Sequence, residues 1–313
     1  MKVGISSCLL GNEVRYDGQH KLDRFLRDEL GSYVEWLPVC PEVECGLPIP
    51  RESMRLVGDD PGSPRLLTVR SKIDLTEKME TFVKKRLDLL SAEDLRGFVF
   101  KSKSPTSGMR GVKIYTDQGF PSKSGSGIFA REFMKRFPDI PVEDEGRLHD
   151  AGIRENFIER LFVYDRWRTF AAADASLPEL IRFHTRHKYL FMAHSPALLR
   201  EAGKIVASAA KPTLPDAIAA YQSLLTKLLS LNATVKKHVN VLQHIMGYFK
   251  NTLSADEKRE LLEIIDKYAR NYVPLIVPIV LLQHYVRKYR EPYLSTQYYL
   301  QPHPDELKLR NHV

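Results

Sequence analysis

Short, almost wholly apolar runs alternate with helical patterns through the first half of this 313-residue chain, and beyond Pro138 the alternation stops. Residues 2–6 (KVGIS), 34–39 (VEWLPV), 65–69 (RLLTV), 97–100 (GFVF) and 112–116 (VKIYT) read as strands, several too uniformly apolar to have a wet face. Helical spacing fills 20–30, 74–92 and the stretch from Gly127 to Phe137. Such a βα alternation predicts a doubly wound α/β domain with a mainly parallel sheet, and a site in the loops at the carboxyl ends of its strands. The segment PDIPVEDEG at 138–146 holds two prolines and an acidic cluster, which closes this domain at 1–145. From 146 to 313 only helical patterns remain, over 154–170, 177–192, 195–209, 213–231, 234–250, 254–271 and 274–290. An all-α helical domain is the expectation there.

Charge divides along the same line. Lys+Arg and Asp+Glu balance over residues 1–150, so the formal net charge of +8 belongs wholly to 151–313. That half also carries most of the tyrosines and histidines, a mixture of cations and flat rings that suits a polyanion bearing bases. Arg186, His187, Lys188, Lys236, Lys237 and His238 cluster within two of its helices and are the candidate residues for facing such a polyanion, although each would serve equally as a solvated surface group. No charge-free apolar run approaches the roughly 20 residues a membrane span needs, and the first residues lead straight into a strand pattern. A cytoplasmic protein without membrane attachment is expected.

The three cysteines all lie within the first 45 residues, an odd number that suits no disulfide framework. Cys8 ends the first strand and Cys40 the second, while Cys45 follows Cys40 in a loop stiffened by Gly46, Pro48 and Pro50. The spacing of Cys40 and Cys45 occurs in some iron–sulfur proteins. Tetrahedral zinc would require a fourth ligand, and His20 is the only histidine before His149. Inert buried thiols remain the alternative on spacing alone. A second loop, FKSKSPTSGMRG at 100–111, gathers Lys101, Ser102, Lys103, Ser104 and Ser107 in a turn able to hold an oxygen-rich ligand, as well as being simply a turn.

The motifs CLLG, VRYDG, PVCPEV, KSKSP and SGSGIFA, in that order across nearly all of residues 1–145, resemble the thiouracil desulfurase family domain (DUF523). Residues from about 154 to 310, with RENFIERLFVYDRW, HKYLFMAHSP and KKHVNVLQHIMGYF, look like the helical DUF1722 domain often fused to it. The fused form resembles desulfidases that convert 4-thiouridine in tRNA to uridine. The resemblance implies a [4Fe-4S] cluster held by three thiolates, with Cys8 and Cys40 matching two family ligands. The third family ligand lies in an SPSCG turn, which here reads SPTSG with Ser107 in its place; Cys45 is then the replacement, with Ser107 as an alkoxide ligand the alternative. Glu42 and Ser104 match residues to which the family pattern assigns catalytic importance.

On that basis the chain is expected to be a non-redox desulfidase that releases sulfide from thiolated uracil, with Glu42 and Ser104 handling protons and tRNA as partner. A target base inside folded RNA would be turned out of its stack to reach the α/β site. Two rival expectations stand beside it: a desulfurase of free thiobases whose helical domain serves oligomerisation, and a non-catalytic RNA-binding protein that carries a cluster. For Glu42 a helix cap or an ion pair with Arg51 or Arg15 is the purely structural alternative.

Overall fold

The computed structural model describes residues 1–173 and 175–312. It divides into two compact units, Met1–Asp150 and Ala151–Val313, a boundary five residues beyond 145.

In the first unit the elements run β1 (Lys2–Ser6), β2 (Glu35–Val39), α1 (Pro41–Glu44), β3 (Met54–Val57), β4 (Arg65–Thr68), α2 (Thr76–Ser91), β5 (Gly97–Phe100), β6 (Val112–Tyr115), β7 (Pro121–Gly125), α3 (Ile128–Arg136) and β8 (Val142–Asp144). One sheet has the order β2-β1-β5-β8 and is parallel throughout. The apolar runs at 2–6 and 97–100 become its central strands, and β5 is buried at every position, as a strand covered on both faces must be. The runs at 65–69 and 112–116 go elsewhere. They enter a second sheet of order β4-β3-β6-β7, in which β3 and β4 form an antiparallel pair and β6 pairs parallel with β3.

Both sheets share one apolar core with α2 and α3. Leu56, Leu66 and Ile114 from the second sheet meet Phe98 and Phe100 from the first and Met79, Val83, Phe129 and Phe133 from the helices. The rings of Phe98 and Phe100 stack at 4.4 Å, and Phe133 lies 4.8 Å from Phe98. The segment 20–30 departs from the expected α-helix: residues Phe25–Glu29 form a π-helical turn followed by a 3-10 turn, and only Leu26 and Leu30 are buried in them. The proline-rich stretch at 138–146 is not only a linker, because Val142–Asp144 adds β8 to the edge of the parallel sheet.

The second unit consists of α4 (Ala151–Ala172), α5 (Leu177–His194), α6 (Pro196–Ser208), α7 (Leu214–Leu229), α8 (Val235–Met246), α9 (Ala255–Ala269) and α10 (Ile276–Lys288), joined by short turns and 3-10 segments. These spans follow the periodicity closely because caps fix them: Ser195 accepts from the Leu198 amide, Thr234 from Lys237, and Ser254 with Glu257 makes a capping box. Trp167 is fully buried and stacks on Tyr221 at 5.2 Å, so truncating it to alanine would cost about 3–5 kcal/mol. A buried polar cluster ties the C-terminal residues to α4: Arg310 reaches Glu155 and Glu159 at 3.3 Å each, and Glu159 also meets His194 at 2.6 Å. No helix is long and apolar enough to cross a membrane among the described residues.

Candidate active site

The parallel strands β1, β2 and β5 end side by side, and the three loops that leave their carboxyl ends enclose a cavity of about 380 Å³. Its wall carries Cys8, Cys40, Glu42, Ser104 and Ser107, with Lys101, Ser102 and Lys103 beside them. Each loop is bent for a reason. After β1 the chain makes one 3-10 turn, Ser7–Leu10, closed by Gly11 at φ 96, which places Cys8 on the cavity while its carbonyl accepts from the Lys21 amide at 2.9 Å. After β2, Cys40 takes the N-cap position of α1 and Pro41 opens the helix, with the Cys40 amide donating to Glu44 Oε1 at 2.7 Å. Glu44 is further held by Arg86 at 2.9 Å, so it acts as the structural carboxylate of the pair and leaves Glu42 to the cavity.

After β5 the SPTSG turn folds onto the start of α3. The Ala130 amide donates to the Thr106 carbonyl at 3.1 Å, and the Gly127 amide donates to the Gly108 carbonyl at 2.7 Å. A Cβ on Gly127 would stand 2.4 Å from the Thr106 carbonyl carbon, and one on Gly108 would stand 2.7 Å from the Ser104 carbonyl oxygen. Any larger residue would drive the turn off the helix. This close approach is the physical content of the glycines in the TSG and SGSG motifs.

Within the cavity the polar contacts converge on Glu42. Thr106 donates its hydroxyl to Glu42 Oε1 at 2.6 Å, Ser104 Oγ lies 3.0 Å from Thr106 Oγ1, and Cys40 Sγ approaches Glu42 Oε2 at 3.5 Å. Arg51 donates to the Val14 carbonyl at 3.0 Å and to that of Pro48 at 3.4 Å, so it braces the neighbouring loop. The ion pair of Glu42 with Arg51 or Arg15 considered from sequence is absent among the described residues. The Thr106 hydroxyl and the Cys40 thiol donate to it instead.

The lysine–serine loop separates into two roles. Lys101 pairs with Glu145, whose carboxylate also accepts from the Ser102 amide at 2.6 Å and the Ser102 hydroxyl at 2.8 Å. These two residues of the wall are therefore held by a buried carboxylate that follows β8. Lys103 is exposed, sits in the left-handed region at φ 59 and brings a charge to the mouth. Glu145, read from sequence only as part of an acidic linker, and Thr106 are the site residues that pattern reasoning missed. Thr106 stands inside the SPTSG motif, but its role depends on Glu42 being 64 residues away in sequence and adjacent in space.

The three cysteines are free thiols and do not share one wall. Cys8 and Cys40 line the cavity; burial pushes their thiols up to about 11 and about 12, with Glu42 adding to the effect on Cys40. Cys45 is absent from the cavity lining among the described residues. It sits just past α1, its thiol donates to the Glu42 carbonyl at 3.1 Å, and burial raises it too. Ser107 is nearly buried and does line the wall. No three His, Cys, Asp or Glu side chains gather tightly enough to grip a single metal ion among the described residues. Two soft ligands across an open cavity fit a bulkier sulfur-ligated group, whose binding would displace the thiol protons.

A family model described as 2-thiouracil desulfurase matches residues 3–145, and a second, described only as a protein of unknown function (DUF1722), matches 188–304. The chain belongs to the 2-thiouracil desulfurase family. Its desulfurase domain is joined to a DUF1722 domain, and the family is one of C–S desulfurases. It is 35% identical over 133 residues to the uncharacterized protein YbgA of Escherichia coli, covering 79% of that protein and 42% of this chain. It is 28% identical over 131 residues to the uncharacterized protein YbbK of Bacillus subtilis, covering 85% of it and 40% of this chain. Among solved structures it is similar to the [4Fe-4S]-dependent thiouracil desulfidase TudS, at 32% identity and TM-score 0.39, covering 96% of that chain and 49% of this one.

The second unit carries a separate feature. A groove of about 950 Å³ among α5, α6 and α8 is lined by Lys188, Arg200, Lys236 and Lys237 and by no carboxylate. Lys188, Arg200 and Lys236 have no acidic partner among the described residues, whereas Lys237 donates to the carbonyls of His194 at 2.6 Å and Asn232 at 2.9 Å. Of the six candidate RNA-facing residues, three thus share a groove. Arg186 packs over the Tyr298 ring at 4.8 Å. The expectation for His187 and His238 is corrected, since both are buried. His187 donates from Nδ1 to the Phe183 carbonyl and accepts from Arg166, and burial depresses it well below an ordinary histidine; His238 meets the Tyr299 hydroxyl at 3.0 Å and burial lowers it to about 3. They are core histidines on the inward faces of helices whose outward faces are basic.

Proposed function

We propose that the chain is an iron–sulfur-dependent, non-redox desulfidase that converts 4-thiouridine in tRNA to uridine and releases sulfide. The observation that carries this reading is the meeting of Cys8, Cys40, Glu42 and Ser104 on one cavity at the carboxyl ends of β1, β2 and β5. Cys8 and Cys40 would hold a [4Fe-4S] cluster, with Cys45 as third ligand once its thiol gives up the weak bond to the Glu42 carbonyl. When bound, such a cluster would supply a Lewis acid for the thiocarbonyl sulfur.

The chain's own groups supply the rest. Glu42, fixed through Oε1 by Thr106, has Oε2 left to take the proton of a water attacking the thiocarbonyl carbon. Ser104 completes the hydrogen bonding beside it. Lys101 and Ser102, clamped by Glu145, keep the loop in place, and Lys103 meets the anionic nucleotide at the mouth. Support for RNA as partner comes from the carboxylate-free groove of the second unit, whose unpaired cations suit a phosphate backbone.

The test compares sulfide release from thiolated tRNA with that from free thiouracil. Preference for tRNA, lost when the groove lysines are removed, is the expected result. Turnover of thiolated tRNA that does not exceed that of the free base, or that survives removal of the groove lysines, would instead place the helical unit outside substrate recognition.

A further inference from the structure

We propose that Thr106 is a positioning residue that couples Ser104 to Glu42, so that the two act on the substrate as one hydrogen-bonded unit. The inference rests on the desulfidase reading of the cavity. It comes from counting protons among the oxygens of Ser104, Thr106 and Glu42, with the Ser107 hydroxyl at 3.5 Å from Thr106 Oγ1 able only to donate to it.

Thr106 has one hydroxyl proton, and the 2.6 Å contact with Glu42 Oε1 uses it, because a carboxylate oxygen can only accept. In the 3.0 Å contact between the two hydroxyls, Ser104 must then be the donor and Thr106 the acceptor. Ser104 Oγ is occupied as well, since it accepts from the Thr106 amide at 3.2 Å and the Ser107 amide at 3.0 Å. The bonding therefore runs one way, from two backbone amides into Ser104, from Ser104 to Thr106, and from Thr106 into Glu42.

Two consequences follow. The Ser104 proton is committed to Thr106, so Ser104 reaches the substrate only in concert with the rest of the chain of bonds. Glu42 Oε1 is committed too, which leaves Oε2, whose partner is the Cys40 thiol donating at 3.5 Å, as the oxygen open to a proton once that thiol has lost its own. Thr106 itself is fully buried, so water cannot replace its hydroxyl and it does not contact the substrate. Its removal would leave both Glu42 Oε1 and the Ser104 proton without partners.

The test uses the full-length, iron-loaded protein with 2-thiouracil as substrate. Thr106→Val keeps the shape and removes the hydroxyl; it should lower kcat by about 10- to 100-fold, as loss of a supporting hydrogen bond does, with KM changed by less than about threefold. Thr106→Ser restores the hydroxyl and should return kcat to within about threefold of the starting protein. Ser104→Ala combined with Thr106→Val should cost no more than the worse single change, since a unit is broken only once. Multiplying losses, or a Thr106→Val protein with unchanged kcat, would overturn the proposal.

Folding failure of the valine variant is covered by a second measurement on the metal-free full-length protein. The Thr106 hydroxyl proton should give a slowly exchanging NMR resonance that moves in Ser104→Ala. A rapidly exchanging proton, or one indifferent to Ser104, would overturn the coupling by itself. If the unmodified protein releases no sulfide from any thiolated uracil, the desulfidase reading fails, and the NMR result still decides whether the three oxygens are linked.

Discussion

Replacing Lys188, Arg200 and Lys236 together by alanine removes the three groove cations that have no acidic partner among the described residues, and spares Lys237, whose ammonium is bound to two backbone carbonyls. Each phosphate contact contributes about −0.9 to the slope of log affinity against log salt on duplex nucleic acid and about −0.7 on a single strand. Loss of three contacts should therefore flatten the slope by roughly 2 to 3. Between about 50 and 200 mM salt, a fourfold change, that difference is worth roughly 20- to 40-fold in the ratio of affinities. Fluorescence anisotropy of labelled tRNA titrated at several salt concentrations reads the slope directly. The variant should keep its fold, because all three side chains lie partly or fully in solvent and none makes an ion pair among the described residues. An unchanged slope would refute the groove as the phosphate contact surface, whatever happened to affinity at a single salt concentration.

Three further outcomes are expected. Glu42→Ala should retain iron yet lose about 100-fold or more of its sulfide release, since a proton-handling group beside the cluster is removed and no ligand is; near-normal turnover would remove Glu42 from the chemistry. Cys45→Ser should abolish iron binding while Ser107→Ala preserves it, and the reverse pattern would assign the third ligand to the hydroxyl already on the cavity wall. The helical unit should lose stability in acid. His187 and His238 are depressed in the folded state by burial, so the stability they allow is complete above the ordinary histidine range near 6.5 and is lost as pH falls below it, for His238 down to about 3; Glu159, held down to about 2 against its own burial by His194 and Arg310, adds a loss that begins below about 4.5. A thermal midpoint of the full chain's helical transition that does not fall between about pH 7 and about pH 5 would contradict this.

Period was the signal the sequence expressed most clearly. Every helix of the second unit could be placed from 3.6-residue spacing with prolines and caps at its ends, because each buries one stripe and exposes the other. Strands were legible where burial made them uniformly apolar, as in β1 and β5, but β3 and β7 escaped notice, since MRLV and PSKSG have neither a long apolar run nor clear alternation. Which strands share a sheet depends on pairing partners distant in the chain, so the split into two sheets lay beyond local pattern. At the site, Cys8, Cys40, Glu42 and Ser104 were readable because motif and strand end coincide. Thr106 and Glu145 were not, since each acquires its role only from a partner more than 40 residues away. His187 and His238 misled because a histidine next to basic residues looks exposed, whereas each helical position is turned about 100° from the last, enough to bury the histidine while its basic neighbour stays in solvent.

The most direct test of the account is to purify the full chain without oxygen and measure iron and sulfide release together, for the unmodified protein and for Cys8→Ser and Cys40→Ser. About four irons per chain and release of sulfide from 2-thiouracil, both lost in either variant, are the predicted results. Iron retained in either variant, or sulfide release that continues after the iron is lost, would contradict the placement of the cluster and the chemistry in this cavity.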